Sequence, residues 1–297
     1  MVDLDALIAS LPVRPRVDDL LAEFVPPARF ADKRFDNYEP ANDTQRTAVH
    51  RLESVAADLR ASASSGFFRR LQRRLGSPPR GSGVYLDGGF GVGKTHLLAA
   101  LWNAGPFPKA YLSFDELVYF IGLVGVAEAR RGFSAQTLVA VDEWELDDPG
   151  NLKLALAFLR GALQDGLRIV VTSNTLPLEL GSGRFNQKDF LAEIEELSSA
   201  FQVVRIEGED YRHRHFEADP GKEYFVPAGR LESLAASAGG RALLVDFAAL
   251  LSALGRVHPI RFASVVDRIE ALFVRDLKSI RELTDAIRWV HFIDTLY

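Results

Sequence analysis

Short apolar runs alternate with longer segments of helical periodicity between residues 84 and 206. The predicted helices between these runs cover residues 96–102, 114–130, 151–164 and 190–198. Continuous apolar strands that alternate with helices are typical of a parallel sheet covered on both faces. The pattern therefore predicts an α/β domain with five strands, at residues 84–86, 109–113, 137–141, 167–172 and 201–206.

The segments on either side of this alternation differ from it. The first forty residues are rich in Pro, Asp and Arg, with a short helix predicted at 18–24 and an amphipathic helix at 43–59. After residue 215 the pattern is mostly helical, most clearly at 228–238, 246–254 and 285–297, with a short strand as an option at 224–226. We therefore expect three parts: an N-terminal arm with helices (1–82), the sheet domain (83–210) and a mostly helical domain (211–297).

Composition narrows the class of protein. The chain has 297 residues, 47% of them hydrophobic and 25% charged, with a net charge of -5, so no global basic field favours nucleic acid. It contains no cysteine, which excludes disulfides, thiolate catalysis and cysteine-ligated zinc. Neither a signal peptide nor a membrane-spanning run is recognisable, so we expect a cytoplasmic protein.

A glycine-rich sequence with a lysine and a threonine joins the first predicted strand to the next helix. Glycines let the backbone curve so that successive N–H groups point at phosphate oxygens, and the helix N-terminus adds partial positive charge. This is the context in which G-x-x-x-x-G-K-[ST] binds a nucleotide. We expect Lys94 to reach the β- and γ-phosphates of ATP and Thr95 to hold Mg²⁺. The predicted contacts are Gly88, Gly89, Phe90, Gly91, Val92, Gly93, Lys94, Thr95 and His96.

Two carboxylates follow the third predicted strand. Asp142 is expected to hold Mg²⁺, directly or through water, because the strand delivers it beside the phosphate loop. Glu143 is expected to orient and deprotonate the attacking water. A switch-type GTPase usually lacks this second carboxylate, so the pair favours ATP hydrolysis.

Three further polar or aromatic residues are candidates for contacts with the nucleotide. Asn174 follows the fourth strand, where its amide would bind the γ-phosphate or the lytic water, although an asparagine there also suits a turn. Tyr38 and Gln45 flank the start of the first long helix and would offer adenine a stacking wall and an amide. Ordinary packing of the arm is an equal alternative for Tyr38 and Gln45.

A basic cluster lies within residues 69–80, where Arg69, Arg70, Arg73 and Arg74 surround apolar residues. It would suit nucleic acid or an acidic partner. The solvated face of a short amphipathic helix is the favoured interpretation.

These motifs together resemble the AAA+ class of P-loop ATPases, and more closely the ZapE/AFG-one-like ATPases. Residues 141–148 are similar to the V-D-E-x-x-x-x-D segment of that family, and residues 172–177 to its T-S-N-x-x-P. Residues 190–194 and 210–212 are similar to its F-L-x-x-I and D-Y-R segments. The resemblance runs from about residue 42 to the end of the chain.

The resemblance implies a sheet of order 5-1-4-3-2, a helical lid after it, and a homo-oligomer that uses ATP and Mg²⁺. It also implies a protein substrate that the ATPase remodels, in bacteria a division filament protein such as FtsZ, and it allows peripheral membrane association. Nucleic acid is a less expected partner. The alternative is an ATP-gated switch, such as a helicase-loader-like module, for which the basic cluster is the main support.

The sequence departs from the family pattern at two places. The family has an arginine-rich stretch before F-L-x-x-I, and here Arg184 is its one arginine, which makes Arg184 the first candidate for a trans-acting catalytic residue. Weaker candidates are Arg205, Arg212 and Arg214. Residues 288–297 resemble a segment that the family continues into an S-R-L motif. If the lid is truncated there, it would lack arginine contacts with the γ-phosphate and hydrolysis would be impaired; the sequence leaves this alternative open.

Overall fold

The computed structural model describes residues 2–10, 16–64, 83–146, 148–182, 187–209 and 225–296. The chain divides into two compact units, one of residues 16–216 and one that joins residues 1–15 to 217–297. Several sequence predictions lie outside the described residues. They are the basic cluster at 69–80, Arg184, the D-Y-R segment and Arg214.

The larger unit is built on a five-stranded parallel sheet. Its strands are ordered β2-β3-β4-β1-β5, which is the predicted order 5-1-4-3-2 read from the other edge. The predicted bounds of β2 and β5 are correct, and those of the other strands differ by one or two residues. The strands are β1 (Gly83–Gly88), β2 (Lys109–Ser113), β3 (Leu138–Asp142), β4 (Arg168–Ser173) and β5 (Phe201–Ile206).

Helices cover both faces of this sheet. They are numbered after α1 (Leu4–Ala9), which belongs to the other unit: α2 (Val17–Glu23), α3 (Asp43–Ser64), α4 (Lys94–Ala104), α5 (Phe114–Val124), α6 (Val126–Phe133), α7 (Pro149–Gln164) and α8 (Leu191–Ser199). The single helix predicted at 114–130 is wrong. Gly125 adopts φ 83°, which ends α5 and starts α6.

One buried core links the arm, two helices and the sheet. Leu52 of α3 and Leu97 of α4 share a cluster with Leu86 of β1, Ala140 of β3 and Tyr38 of the arm. β1 and β3 are buried along their whole length, as expected for strands covered on both faces. Because the strands are parallel, β1, β3 and β4 end at the same edge of the sheet.

The smaller unit is mostly helical, as predicted, but also contains a two-stranded parallel sheet that the pattern did not reveal. Its strands are β6 (Ala242–Asp246) and β7 (Ala271–Arg275), and its further helices are α9 (Ala228–Ser237), α10 (Phe247–Leu254), α11 (Phe262–Val266) and α12 (Leu283–Leu296). Phe225 and Val226 are not in a strand, so that option is wrong for the described part of 224–226. Within the described ranges, no helix has the length and apolar content that a membrane span requires.

Candidate active site

The glycine-rich loop curves between the end of β1 and the first turn of α4. Gly91 and Gly93 have φ of 68° and 92°, the left-handed region that favours glycine. Any side chain at Gly93 is also blocked, since a Cβ there would lie 2.5 Å from the Tyr38 ring. The loop therefore has the glycines and the helix N-terminus that a phosphate-binding loop needs.

Lys94, at the start of α4, folds back over this loop. Its ammonium donates to the carbonyl oxygens of Gly88 and Gly89, at 2.7 and 2.6 Å, and to Oδ1 of Asn174 at 2.8 Å. Only 8% of the residue is exposed. A cation held among oxygen acceptors at the loop can exchange some of them for phosphate oxygens.

Asp142, at the end of β3, accepts hydrogen bonds on both carboxylate oxygens. Oδ1 accepts from the Thr95 hydroxyl at 3.2 Å, the Glu143 backbone N–H at 3.2 Å, and the Thr172 hydroxyl. Oδ2 accepts from the Tyr111 hydroxyl at 2.7 Å. Burial, followed by the Asp142 charge, raises the pKa of Tyr111 well above its ordinary value, so its hydroxyl stays protonated as a donor.

The structure thus brings together the two residues predicted to hold Mg²⁺. The Thr95 hydroxyl and the Asp142 carboxylate are hard oxygen ligands, the type that Mg²⁺ prefers. Asp142 is 9% exposed, so its charge is little screened by solvent. This donor set fits a magnesium ion.

Glu143 adopts a strained backbone directly after β3. Its φ is 54°, and a non-glycine residue in this region costs about 1–3 kcal/mol. Two hydrogen bonds to Thr172 hold the turn: the Glu143 N–H donates to its hydroxyl at 3.0 Å, and the Trp144 N–H to its carbonyl at 2.7 Å. The turn leaves the Glu143 side chain exposed at the edge where the site lies.

Asn174 follows β4, and its amide is held in one orientation. The amide oxygen accepts from Lys94, whereas the amide nitrogen donates to Oε1 of Glu145 at 3.1 Å. A cation at one end and a carboxylate at the other determine which way the amide points. Its contact with a γ-phosphate stays a prediction.

Tyr38 and Gln45 lie against the site through contacts with the protein itself. The Tyr38 hydroxyl donates to the Val92 carbonyl at 2.9 Å. Gln45 is fully buried; its amide oxygen accepts from the Ala41 N–H at 2.6 Å, and its amide nitrogen donates to the Glu207 carbonyl at 3.0 Å. These are the contacts of the packing alternative, and adenine recognition by either residue stays a prediction.

The remaining predicted contacts divide into exposed and packed side chains. Phe90 is 64% exposed at the loop, whereas Val92 is buried. His96 lies with Nε2 3.1 Å from the Arg34 carbonyl and 3.0 Å from Oδ1 of Asn37. Burial lowers the pKa of His96, so the ring packs as a neutral imidazole. His96 therefore links α4 to the arm.

Sequence reasoning gave no role to Tyr111 or Glu145, and treated Thr172 only as part of a motif. Tyr111 lies inside an apolar strand, where an aromatic residue resembles any other core residue. Glu145 comes two residues after Glu143, and this short spacing from the predicted base could have marked Glu145 as a candidate site residue.

Comparisons with known proteins place these residues in a family context. The model of the AFG1-like ATPase family matches residues 24–233, a segment that includes Lys94, Asp142, Glu143 and Asn174. The cell division protein ZapE of Escherichia coli is 29% identical over 198 residues, which are 58% of this chain and 52% of that protein. The chain thus spans about half the length of this relative.

A chromosomal replication initiator and two solved structures are also similar. The chromosomal replication initiator protein DnaA of Xanthobacter autotrophicus is 32% identical over 177 residues, which cover 55% of this chain and 34% of that protein. Among solved structures, DnaI is 18% identical, with a TM-score of 0.47, over 66% of this chain and 99% of that chain. AMPPCP-bound DnaA from Aquifex aeolicus is 17% identical, with a TM-score of 0.43, over 59% of this chain and 50% of that chain.

Proposed function

The chain belongs to the AFG1-like ATPase family, and on that premise we propose that it is an Mg²⁺-dependent AAA+ ATPase that hydrolyses ATP at the edge of its sheet. One observation carries the proposal. Hydrogen bonds join the start of α4 to the ends of two strands: Lys94 donates to Asn174, directly after β4, at 2.8 Å, and its neighbour Thr95 donates to Asp142, at the end of β3, at 3.2 Å.

Binding of the nucleotide follows from the loop. The backbone N–H groups of residues 89–95 and the start of α4 would surround the β-phosphate. Lys94 would exchange carbonyl contacts for phosphate oxygens. Thr95 and Asp142 would hold Mg²⁺, which when bound neutralises charge on the β- and γ-phosphates.

Hydrolysis needs a base and a polar group beside the γ-phosphate. Glu143 has an exposed carboxylate at this edge and would orient the attacking water and accept its proton. Asn174, held between Lys94 and Glu145, would donate to the γ-phosphate or the water. Both groups are on short turns directly after buried strands, which keeps their positions defined.

We also propose that a neighbouring subunit supplies an arginine, whose positive charge stabilises the transition state at the γ-phosphate. Phosphoryl transfer is accelerated about 10³-fold or more by such an arginine when it is supplied in trans. Arg184 remains the first candidate and lies outside the described residues. We therefore propose that a homo-oligomer is the active form.

The proposed substrate is a protein. The relative named for cell division supports a role in bacterial division. The partner that we propose, a division filament protein such as FtsZ, follows from the family resemblance alone. The proposed location is the cytoplasm, with peripheral membrane association allowed.

The test combines kinetics with mixing. Specific ATPase activity is expected to rise with protein concentration. A mixture of inactive Arg184→Ala and Lys94→Ala chains is expected to recover activity, because some interfaces then combine an intact loop with an intact arginine. Activity that is independent of concentration, without recovery in the mixture, would contradict an oligomeric ATPase.

The same assay decides between partners. Stimulation by a division filament protein supports the proposed role. Stimulation by single-stranded DNA instead would favour the helicase-loader-like switch, the function that the basic cluster at 69–80 suits.

A further inference from the structure

We propose that Tyr111 is a positioning residue for the magnesium-binding carboxylate, which it orients so that one oxygen faces Thr95. The inference rests on the proposed function of the site and deepens it. Tyr111 lies within β2, the strand that pairs with β3 and so lies beside Asp142. Tyr111 and its neighbours in β2 belong to none of the motifs recognised in the sequence, so the sequence alone does not mark it as functional.

The two oxygens of Asp142 have different partners. Oδ1 accepts from Thr95, the hydroxyl predicted to bind Mg²⁺, at 3.2 Å, and also from the Glu143 N–H and the Thr172 hydroxyl. Oδ2 accepts from the Tyr111 hydroxyl at 2.7 Å. Because a carboxylate is planar, fixing Oδ2 on Tyr111 also fixes the direction in which Oδ1 points.

Burial increases the free-energy cost of losing the hydrogen bond between Tyr111 and Asp142. Tyr111 is 4% exposed and Asp142 9%, so solvent has little access to either group. If the hydroxyl is removed, Oδ2 loses the donor shown here, and a buried charged oxygen without a donor is costly. Rotation of the carboxylate toward other donors would relieve that cost and would move Oδ1 away from Thr95.

A purely structural interpretation is that Tyr111 needs some acceptor for its buried hydroxyl. The acceptor that it uses, however, is the carboxylate that the site needs for its metal. Groups that hydrogen-bond to metal ligands typically change metal affinity or activity by about 10- to 100-fold when they are mutated. Tyr111 is such a group, because its hydroxyl donates a hydrogen bond to Asp142, the proposed metal ligand.

The test is Tyr111→Phe in the full chain, which removes one hydroxyl and keeps the ring. A fluorescent ATP analogue is titrated at a series of Mg²⁺ concentrations and again in EDTA. The Mg²⁺ concentration at half-saturation is expected to rise roughly 10-fold, whereas affinity in EDTA stays within about twofold. Direct binding of Mn²⁺ to the nucleotide-loaded protein, followed by electron paramagnetic resonance, is expected to weaken in parallel.

Tyr85→Phe is the matched control. Tyr85 is also a buried strand tyrosine, and its hydroxyl donates to the Thr175 carbonyl at 2.7 Å rather than to a metal ligand. Each variant loses one buried hydroxyl hydrogen bond, and Tyr111→Phe should lose more thermal stability because its acceptor is charged. Only Tyr111→Phe should shift the Mg²⁺ dependence.

The outcomes separate the two proposals. Wild-type protein that binds no nucleotide would overturn the proposed function, and the role of Tyr111 with it. Normal nucleotide binding with the same Mg²⁺ midpoint in Tyr111→Phe and wild type would overturn the positioning role alone. An equal shift in Tyr85→Phe would also overturn it, because the effect would then follow from lost stability.

Discussion

In both parallel sheets of the described chain, one strand is followed directly by a strained acidic residue, yet the candidate site lies at only one of these two positions. Glu143 directly follows β3 with φ 54°, and Asp276 directly follows β7 with φ 53°. Among the described residues these are the non-glycine positions with positive φ. The backbone feature is therefore shared, and the side chains around it differ.

At the end of β3 the carboxylate of Asp142 is buried beside a loop that can bind an anion. At the ends of β6 and β7 the corresponding charges neutralise each other, since Nε of Arg275 lies 2.9 Å from Oδ1 of Asp246. No glycine loop follows β6, because α10 begins at the next residue, Phe247. What distinguishes the proposed metal ligand Asp142 from Asp246 is therefore the phosphate-binding loop beside it, since both carboxylates end a parallel strand.

Removing the cation of the phosphate loop should have the largest effect. Lys94→Ala deletes the buried ammonium that would contact the phosphates, and truncating one partner of such a buried charged contact costs about 2–5 kcal/mol. ATP affinity should fall roughly 10²- to 10³-fold in calorimetry. Arg275→Ala, the matched change at the other sheet, should leave ATP affinity unaltered. Unchanged ATP affinity in Lys94→Ala would mean that the strand ends of the larger sheet do not differ from those of the smaller sheet in nucleotide binding.

The two strained acids should respond differently to amide substitution. Glu143→Gln keeps ATP binding but should lower kcat by at least about 10²-fold, the usual contribution of a general base. Asp276→Asn should leave kcat unchanged. Steady-state phosphate release measures both, and a Glu143→Gln enzyme at the wild-type rate would show that Glu143 is not the base.

The orientation of Asn174 should matter less than the base itself. Glu145→Ala removes the acceptor at 3.1 Å that holds the amide nitrogen, so kcat should fall about 10-fold, less than the ~10²-fold that follows loss of a direct donor. KM for ATP should stay within about twofold, because Lys94 and the loop are untouched. Glu145→Gln keeps an acceptor oxygen and should recover most of the rate. Equal kcat in Glu145→Ala and wild type would contradict a positioning role.

Relieving the backbone strain at Asp276, directly after β7, should have the smallest effect, and the effect is on stability. Asp276→Gly should stabilise the protein by about 1 kcal/mol, because glycine adopts positive φ without the steric cost. Asp276→Ala retains the Cβ and should give no such gain. Urea unfolding followed by circular dichroism measures the difference, and equal stability of the two variants would mean that φ 53° is not costly here.

The sequence pattern predicted the larger sheet better than the smaller one for a physical reason. Its strands are short apolar runs that alternate regularly with helical segments, and this repeated alternation locates them. β6 is also an apolar run, but Ala242, Leu243 and Leu244 suit a helix as well as a strand, and the run lies among helical segments instead of in a regular alternation of strands and helices. A short apolar run beside a helix cannot be assigned by periodicity alone.

The residues of the candidate site also divide into those that the sequence predicted and those that it missed. Residues in a local motif, such as Lys94 and Asp142, were predicted because loop and strand ends impose their positions. Tyr111 reaches Asp142 only through the pairing of β2 with β3, a contact between strands that are distant in sequence. For Tyr38 the sequence left adenine contact and packing of the arm as equal alternatives. Its hydroxyl donates to the Val92 carbonyl of the loop, and contact with adenine stays a prediction.

Phosphate release from ATP by the purified full chain, with Mg²⁺ or with EDTA and beside Lys94→Ala, tests the central claim most directly. The account predicts saturable release that needs Mg²⁺, rises per molecule with protein concentration and is absent in Lys94→Ala. Release at the same rate by wild type and Lys94→Ala at every concentration, with no ATP binding in calorimetry, would contradict it.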